Sequence, residues 1–220
     1  MIPDPENPIA MIPYDRDIDG QMYAIYGRFC PGENWTTSIG IAILSPMQLA
    51  GIARDRVTRL LPATKPGFTG ADGPWQYVKV PTIFWVDPTD WKPFTLTATA
   101  FGTWSTVTVT PIGIRFTPGD DSPPVACVGP GVPYRGVRYP QADYIFRGDP
   151  GQCGYLYDHS SKDQPDLTYP ASMAVEWRAD WRASNGTAGT LEPIWITTPI
   201  GIKVARVSAV GGSRPIAANT

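Results

Sequence analysis

The sequence has one histidine, three cysteines and little charge. A single histidine, His159, excludes any metal site built on two imidazoles. Lys and Arg number 18 against 20 Asp and Glu, a net charge of −2 with charged residues at 17%. That balance provides no basic footprint for nucleic acid or for an anionic membrane surface. No apolar run approaches the roughly 18 residues of a membrane-spanning helix, so membrane insertion is not expected. No Gly-Lys pair occurs, which removes the phosphate-cradling loop. No G-x-G-x-x-G follows a predicted strand, and an H-E-x-x-H zinc motif is impossible. The opening Met1-Ile-Pro-Asp-Pro-Glu-Asn-Pro8 lacks the basic start and apolar stretch of a signal peptide. The expectation is either a signal already removed or a chain made in the cytoplasm that leaves by another route.

What the sequence does have is 25 Pro and 22 Gly, with 8 Trp, 10 Tyr and 7 Phe in a 42% hydrophobic composition. Aromatics at that level argue for a packed core, and the Gly and Pro for loop-rich β structure rather than disorder. Residues 1–20, with three prolines before residue 10, read as an extended arm. Residues 21–74 read as a small strand-strand-helix region followed by a linker. Strands are expected at Gln21–Gly27 and Ser38–Leu44. The helix follows, with Ser45 as N-cap, Pro46 at the first position and Gln48 closing a capping box. Leu49, Ile52, Ala53, Val57 and Leu60 recur at helical spacing, and Pro62 stops the run.

Residues 75–210 read as an antiparallel β-sandwich, and 211–220 as a tail. Phe94, Leu96, Ala98 and Ala100 alternate with Thr95, Thr97 and Thr99, and Val107 and Val109 with Thr106, Thr108 and Thr110. Ile112, Ile114 and Phe116 continue past Pro111. Met173, Val175, Trp177, Ala179 and Trp181 form the cleanest period-two run, which places both indoles in the core. Trp85, between Phe84 and Val86, also reads as buried. Ile200, Ile202 and Val204 change phase to Val207 and Ala209, as at a bulge. The span 117–170 reads as one long functional loop.

Candidate chemistry is sparse. Asp158-His159-Ser160-Ser161 contains triad residue types, but adjacent residues on a turn seldom point to one site. Asp120 and Asp121 read first as turn formers and second as ligands of a Ca²⁺ site completed by other loops. Cys127 and Cys153 lie in Gly/Pro-rich surroundings outside any C-x-x-C motif, which favours a disulfide over a metal site. The alternative is two unpaired thiols. Cys30 is left over, free or linked to a second chain. Trp35, Trp75, Trp91 and Trp104 flank turns, and are either packed strand edges or exposed contact residues.

A set of words runs through the chain in order: Pro81-Thr-Ile-Phe-Trp85-Val-Asp87, Thr97-Ala-Thr-Ala100, Val107-Thr-Val-Thr110, Pro118-Gly-Asp120, Cys127-Val-Gly-Pro-Gly-Val-Pro-Tyr134, Cys153-Gly-Tyr-Leu-Tyr157 and Val175-Glu-Trp-Arg-Ala-Asp-Trp181. Through these, residues 44–210 resemble a family of secreted actinobacterial proteins of unknown function. Those proteins are often labelled ATP- or GTP-binding without a nucleotide motif. Their second half looks like a polycystic kidney disease (PKD) type domain, an immunoglobulin-like β-sandwich. The resemblance implies that sandwich, the Cys127–Cys153 disulfide and an extracellular setting; it implies no activity. Where the family has a Gly-Asp-Gly turn, this chain has Gly119-Asp120-Asp121.

Three functions compete. The first is a non-catalytic structural or adhesive protein of an extracellular assembly, such as a phage virion or a surface filament. It would act on other protein subunits through its arm, with Ile2, Ile9, Met11 and Ile12 as contacts, and require no cofactor. The second is a secreted module that binds cell-wall or other polysaccharide through exposed Trp. The third is a carboxylate-based hydrolase.

Overall fold

A computed structural model describes residues 14–18, 21–28, 37–69, 75–133 and 151–207. Ile2, Ile9, Met11, Ile12, Cys30, Trp35 and the tail from residue 208 lie outside the described residues. The protein is mainly β, with one α-helix among the described residues. In chain order the elements are β1 Tyr14–Ile18, β2 Gln21–Arg28, β3 Thr37–Ala42, α1 Pro46–Thr58, β4 Pro66–Phe68, β5 Trp75–Tyr77 and β6 Pro81–Val86. They continue with β7 Phe94–Ala100, β8 Thr103–Thr117, β9 Val125–Val128, β10 Cys153–Leu156, β11 Tyr169–Ala183 and β12 Ala188–Ala205.

β1, β2 and β3 form an antiparallel sheet in that order. The strands expected near 21–27 and 38–44 are present as β2 and β3. β1 is an addition: Tyr14–Ile18 falls within residues 1–20, read from the sequence as an extended arm with no strand assigned. The overlooked signal is Asp19-Gly20, the two residues between the paired Ile18 and Gln21. Asp-Gly between two short runs is a strong hairpin signature.

The described residues fall into two compact units, threaded by the long strands rather than following one another in sequence. The first holds the chain through Leu60, together with Phe94–Val109 and Ala179–Glu192. Here α1 starts as its sequence dictates. The Gln48 amide donates to Ser45 Oγ at 3.2 Å, and the Ser45 amide donates to Gln48 Oε1 at 2.8 Å. Leu49, Ala50, Ala53 and Val57 bury one face of the helix. Ser105 Oγ donates to the Pro46 carbonyl at 2.6 Å and Arg54 Nε to the Glu192 carbonyl at 3.1 Å, tying both ends of the helix to strands. β7 and β8 pair antiparallel, with Ala98, Ser105, Val107 and Val109 inward. Their outward threonines bond across the strands, Thr95 to Thr108 at 3.0 Å and Thr97 to Thr106 at 2.7 Å.

The β7–β8 turn is a two-residue hairpin, Phe101-Gly102, with φ of 48° and 77°. Both values are positive, the type I′ geometry that favours Asn-Gly. Phe101 is 57% exposed there, so its ring contributes little packing to offset the strain. Phe101→Asn is expected to stabilise the fold by about 1 kcal/mol, the cost of a left-handed non-glycine residue. A higher urea midpoint at unchanged slope is the predicted reading; an unchanged or lower midpoint refutes it.

The second unit holds Leu61–Pro93, Thr110–Arg178 and the chain from Pro193. β10, β6 and β4 make one antiparallel sheet in that order. β5, β12, β11 and β8 are neighbours in another, with β9 on β8. β8 runs unbroken through Pro111, where the sequence suggested two separate runs. Its pairing with β7 ends at Val109 and that with β9 begins at Gly113, so Pro111 falls in the gap between those two ladders. On β11, Met173, Val175, Trp177, Ala179 and Trp181 are all buried, as the alternation demanded. Trp85 is a partial correction: it is half-buried, with its ring lying across β4. A Cβ on Gly67 would sit 2.2 Å from the indole, so the glycine makes room for the ring. β12 ends at Ala205, so the expected phase change beyond Val204 is not part of this strand.

The 117–170 span is also corrected. It contains β9, β10 and two 3-10 turns, Ser161–Asp163 and Pro165–Leu167. β9 and β10 are four residues each, too short to show a period, and they are strands because β8 and β6 offer them ladders.

Candidate functional site

The densest polar and aromatic cluster lies in the second unit around the turn after β8. Gly119 and Asp121 take φ of 83° and 66°, so Asp121 adopts the left-handed conformation that favours glycine. Asp120 between them accepts twice. Tyr155 OH donates to its Oδ2 at 2.7 Å and the Ser122 amide to its Oδ1 at 3.2 Å. Tyr157 OH donates to the Pro118 carbonyl at 3.0 Å, and Tyr157 is fully buried. Its ring stacks on Tyr169 at 5.4 Å and 8°, and meets Tyr155 edge-on at 4.8 Å. Phe116 packs on Phe84 at 4.7 Å beneath them. Burial, reinforced by the Asp120 carboxylate, pushes the Tyr155 phenol up to about 12. Burial drives the Tyr157 phenol further upward, and shifts Tyr169 in the same direction. Tyr155 and Tyr157 are neutral phenols serving as hydrogen-bond donors that brace this turn, while the Tyr169 hydroxyl donates to the Ser160 carbonyl at 3.2 Å.

The arrangement reassigns the sequence-derived candidates. Both Asp120 oxygens already accept protein hydrogen bonds, and Asp121 is exposed. Among the described residues, no group of three His, Cys, Asp or Glu could hold a metal ion. Asp158 pairs with Lys79 at 2.5 Å, and that hydrogen bond and charge hold its carboxyl below the usual carboxylate range. Ser161 Oγ donates to the Leu167 carbonyl at 2.5 Å and accepts from the Val204 amide at 2.9 Å. The Asp and the second Ser of the 158–161 run are thus committed to holding loops.

The Cys127–Cys153 disulfide is corrected: both residues are free thiols. The loop reading behind it fails because both sit on strands, Cys127 opposite Ile114 and Cys153 opposite Phe84. Ladder hydrogen bonds hold these segments where a covalent staple was expected. Their strands β9 and β10 nevertheless touch, and the two thiols influence each other's ionisation. The contact from Cys153 lowers the Cys127 pKa, and the same contact, with burial, drives Cys153 strongly upward. Since the thiolate is the nucleophile, Cys127 is expected to alkylate first with iodoacetamide at neutral pH. Cys153→Ala should slow labelling of Cys127, as mass mapping of timed samples would show. Equal labelling of the two cysteines refutes the assignment.

Of the surface aromatics, Trp75 is 49% exposed on β5, while Trp91 and Trp104 are half-buried. Tyr77, at 44%, shares the outward face of β5 with Trp75. Gln76 points inward and donates to the Thr69 carbonyl at 2.7 Å, which sets that phase. The Lys203 ammonium lies 5.4 Å from the Trp75 ring centre. Trp195 was missed, although Ile194 and Ile196 beside it give the alternation that turns it outward. It stacks under the Arg115 guanidinium at 4.2 Å. Trp195 and Lys203 are eight residues apart on β12, roughly 26 Å at the rise of a strand, so the exposed indoles of Trp75 and Trp195 form no contiguous row. Comparison with protein-family models, curated proteins and solved structures finds no match.

Proposed function

We propose that the chain is a non-catalytic structural or adhesive protein of an extracellular assembly, such as a virion or surface filament, acting through contacts with other protein subunits. Its β-rich body is read as an immunoglobulin-type, PKD-like sandwich, as the family resemblance implies. The observation that carries the proposal is the exposed apolar edge of β5, where Trp75 and Tyr77 face outward on a strand with no second neighbour in its sheet among the described residues. An unpaired edge bearing aromatics is contact material that a solitary protein normally blunts. The functional groups placed above serve to brace turns and loops, which suits a scaffold.

Deletion of residues 1–12 tests the reading, because it removes Ile2, Ile9, Met11 and Ile12 and stops short of β1. The truncated protein is expected to melt as the intact chain does and to lose assembly by light scattering. Normal assembly of the truncated protein, or a monomeric intact chain, defeats the proposal. The exposed Trp75 also supports the alternative of a polysaccharide-binding module. That reading gains if Trp75→Ala abolishes retention on cell-wall polysaccharide while the chain stays monomeric.

A further inference from the structure

We infer that the β5 edge is the dock for the proline-rich N-terminal arm of a second copy of this chain. The inference rests on the assembly reading above and names the surface that the arm engages. Trp75 and Tyr77 alternate with buried Gln76, so two aromatic side chains stand about 7 Å apart along one face of a three-residue edge strand. Lys203 lies opposite Trp75 in the parallel pairing with β12 and its ammonium covers that indole. The edge is therefore a pair of exposed aromatic side chains with one cation, Lys203, at the Trp75 ring.

Aromatic pairs of this kind take polyproline II segments, whose fixed prolines lose little entropy on docking. Such a segment repeats every three residues. Ile2, Pro5, Pro8 and Met11 recur at that period, and Pro5-Glu6-Asn7-Pro8 is a P-x-x-P sequence. The arm's only charged side chains before Tyr14 are Asp4 and Glu6, both acidic, which complement Lys203. The C-terminal segment leaves β12 beside the same edge, but residues 208–220 carry Arg214 and no acid, so its charge opposes the dock. An arm on one copy meeting an edge on the next is a head-to-tail contact, which builds rings or filaments.

A synthetic peptide of residues 1–13, titrated into the chain lacking residues 1–12, reads the dock directly. Saturable binding is expected, weakened at least about tenfold by Trp75→Ala with Tyr77→Ala in the protein. It should weaken comparably when Pro5→Ala and Pro8→Ala are placed in the peptide, a change that leaves the folded protein untouched. Lys203→Glu should weaken binding further, with the remaining affinity less sensitive to salt. No binding of the peptide, or binding indifferent to both pairs of substitutions, overturns the dock. The full-length chain separates the two levels. If the Trp75→Ala, Tyr77→Ala chain assembles normally while deletion of residues 1–12 prevents assembly, the dock is wrong and the assembly role stands. If the deletion assembles normally, the assembly role falls and the dock falls with it.

Discussion

Trp177→Ala is expected to destabilise the protein by about 3–5 kcal/mol, the range for removing a large aromatic from a packed core. Trp177 is buried on β11, and its inward neighbours Val175 and Ala179 are buried as well. The flanking Glu176 and Arg178 face the other way, so the strand cannot rotate to fill the void without burying charge. A domain stable by about 5–15 kcal/mol would lose much of its margin. Urea denaturation should show a large fall in midpoint for Trp177→Ala and a change of about 0.5 kcal/mol or less for the exposed Arg182→Ala. Similar midpoints for the two variants would refute the packing assignment.

Tyr157→Ala should cost as much, about 3–5 kcal/mol, because it empties the space between Tyr155 and Tyr169. Tyr157→Phe separates the two contributions of the side chain. The ring stays, the hydroxyl is lost, and the Pro118 carbonyl is left without its donor, a cost of about 1–3 kcal/mol. The same residue governs the alkaline limit. Burial raises the phenols of Tyr155 and Tyr157 in the folded state, so folding favours their protonated forms. Their contribution is fully present below the ordinary tyrosine pKa of about 10 and is lost as pH rises above it. For Tyr155 the loss runs up to about 12. The wild type should therefore weaken across that window, and Tyr157→Phe should weaken less steeply. Equal pH slopes in the two proteins would remove Tyr157 from this role.

Much of the β structure was legible because alternation needs no tertiary information. The threonines of β7 and β8 face outward and the apolar residues of β11 inward, as a period of two requires. The capping box at Ser45 and Gln48 is equally local, since all its atoms lie within one turn. Signals that were present but overlooked are Asp19-Gly20 before β2 and the outward phase of Trp195.

The tertiary structure decided what depends on residues far apart in the chain. β9 and β10 have no period of their own and exist as strands through the ladders of β8 and β6. Those same ladders hold Cys127 and Cys153 as thiols on strands of two separate sheets, where their Gly/Pro-rich surroundings suggested a loop staple. Asp120 became a brace only when Tyr155, 35 positions away, placed its hydroxyl on it. Trp75 and Tyr77 form an edge because β5, among the described residues, is the last strand beside β12, a property of strand order that three residues cannot encode. Local patterns determine which way a side chain turns along its own strand; which strand lies beside it depends on long-range pairing, and that pairing set the thiols, the brace and the edge.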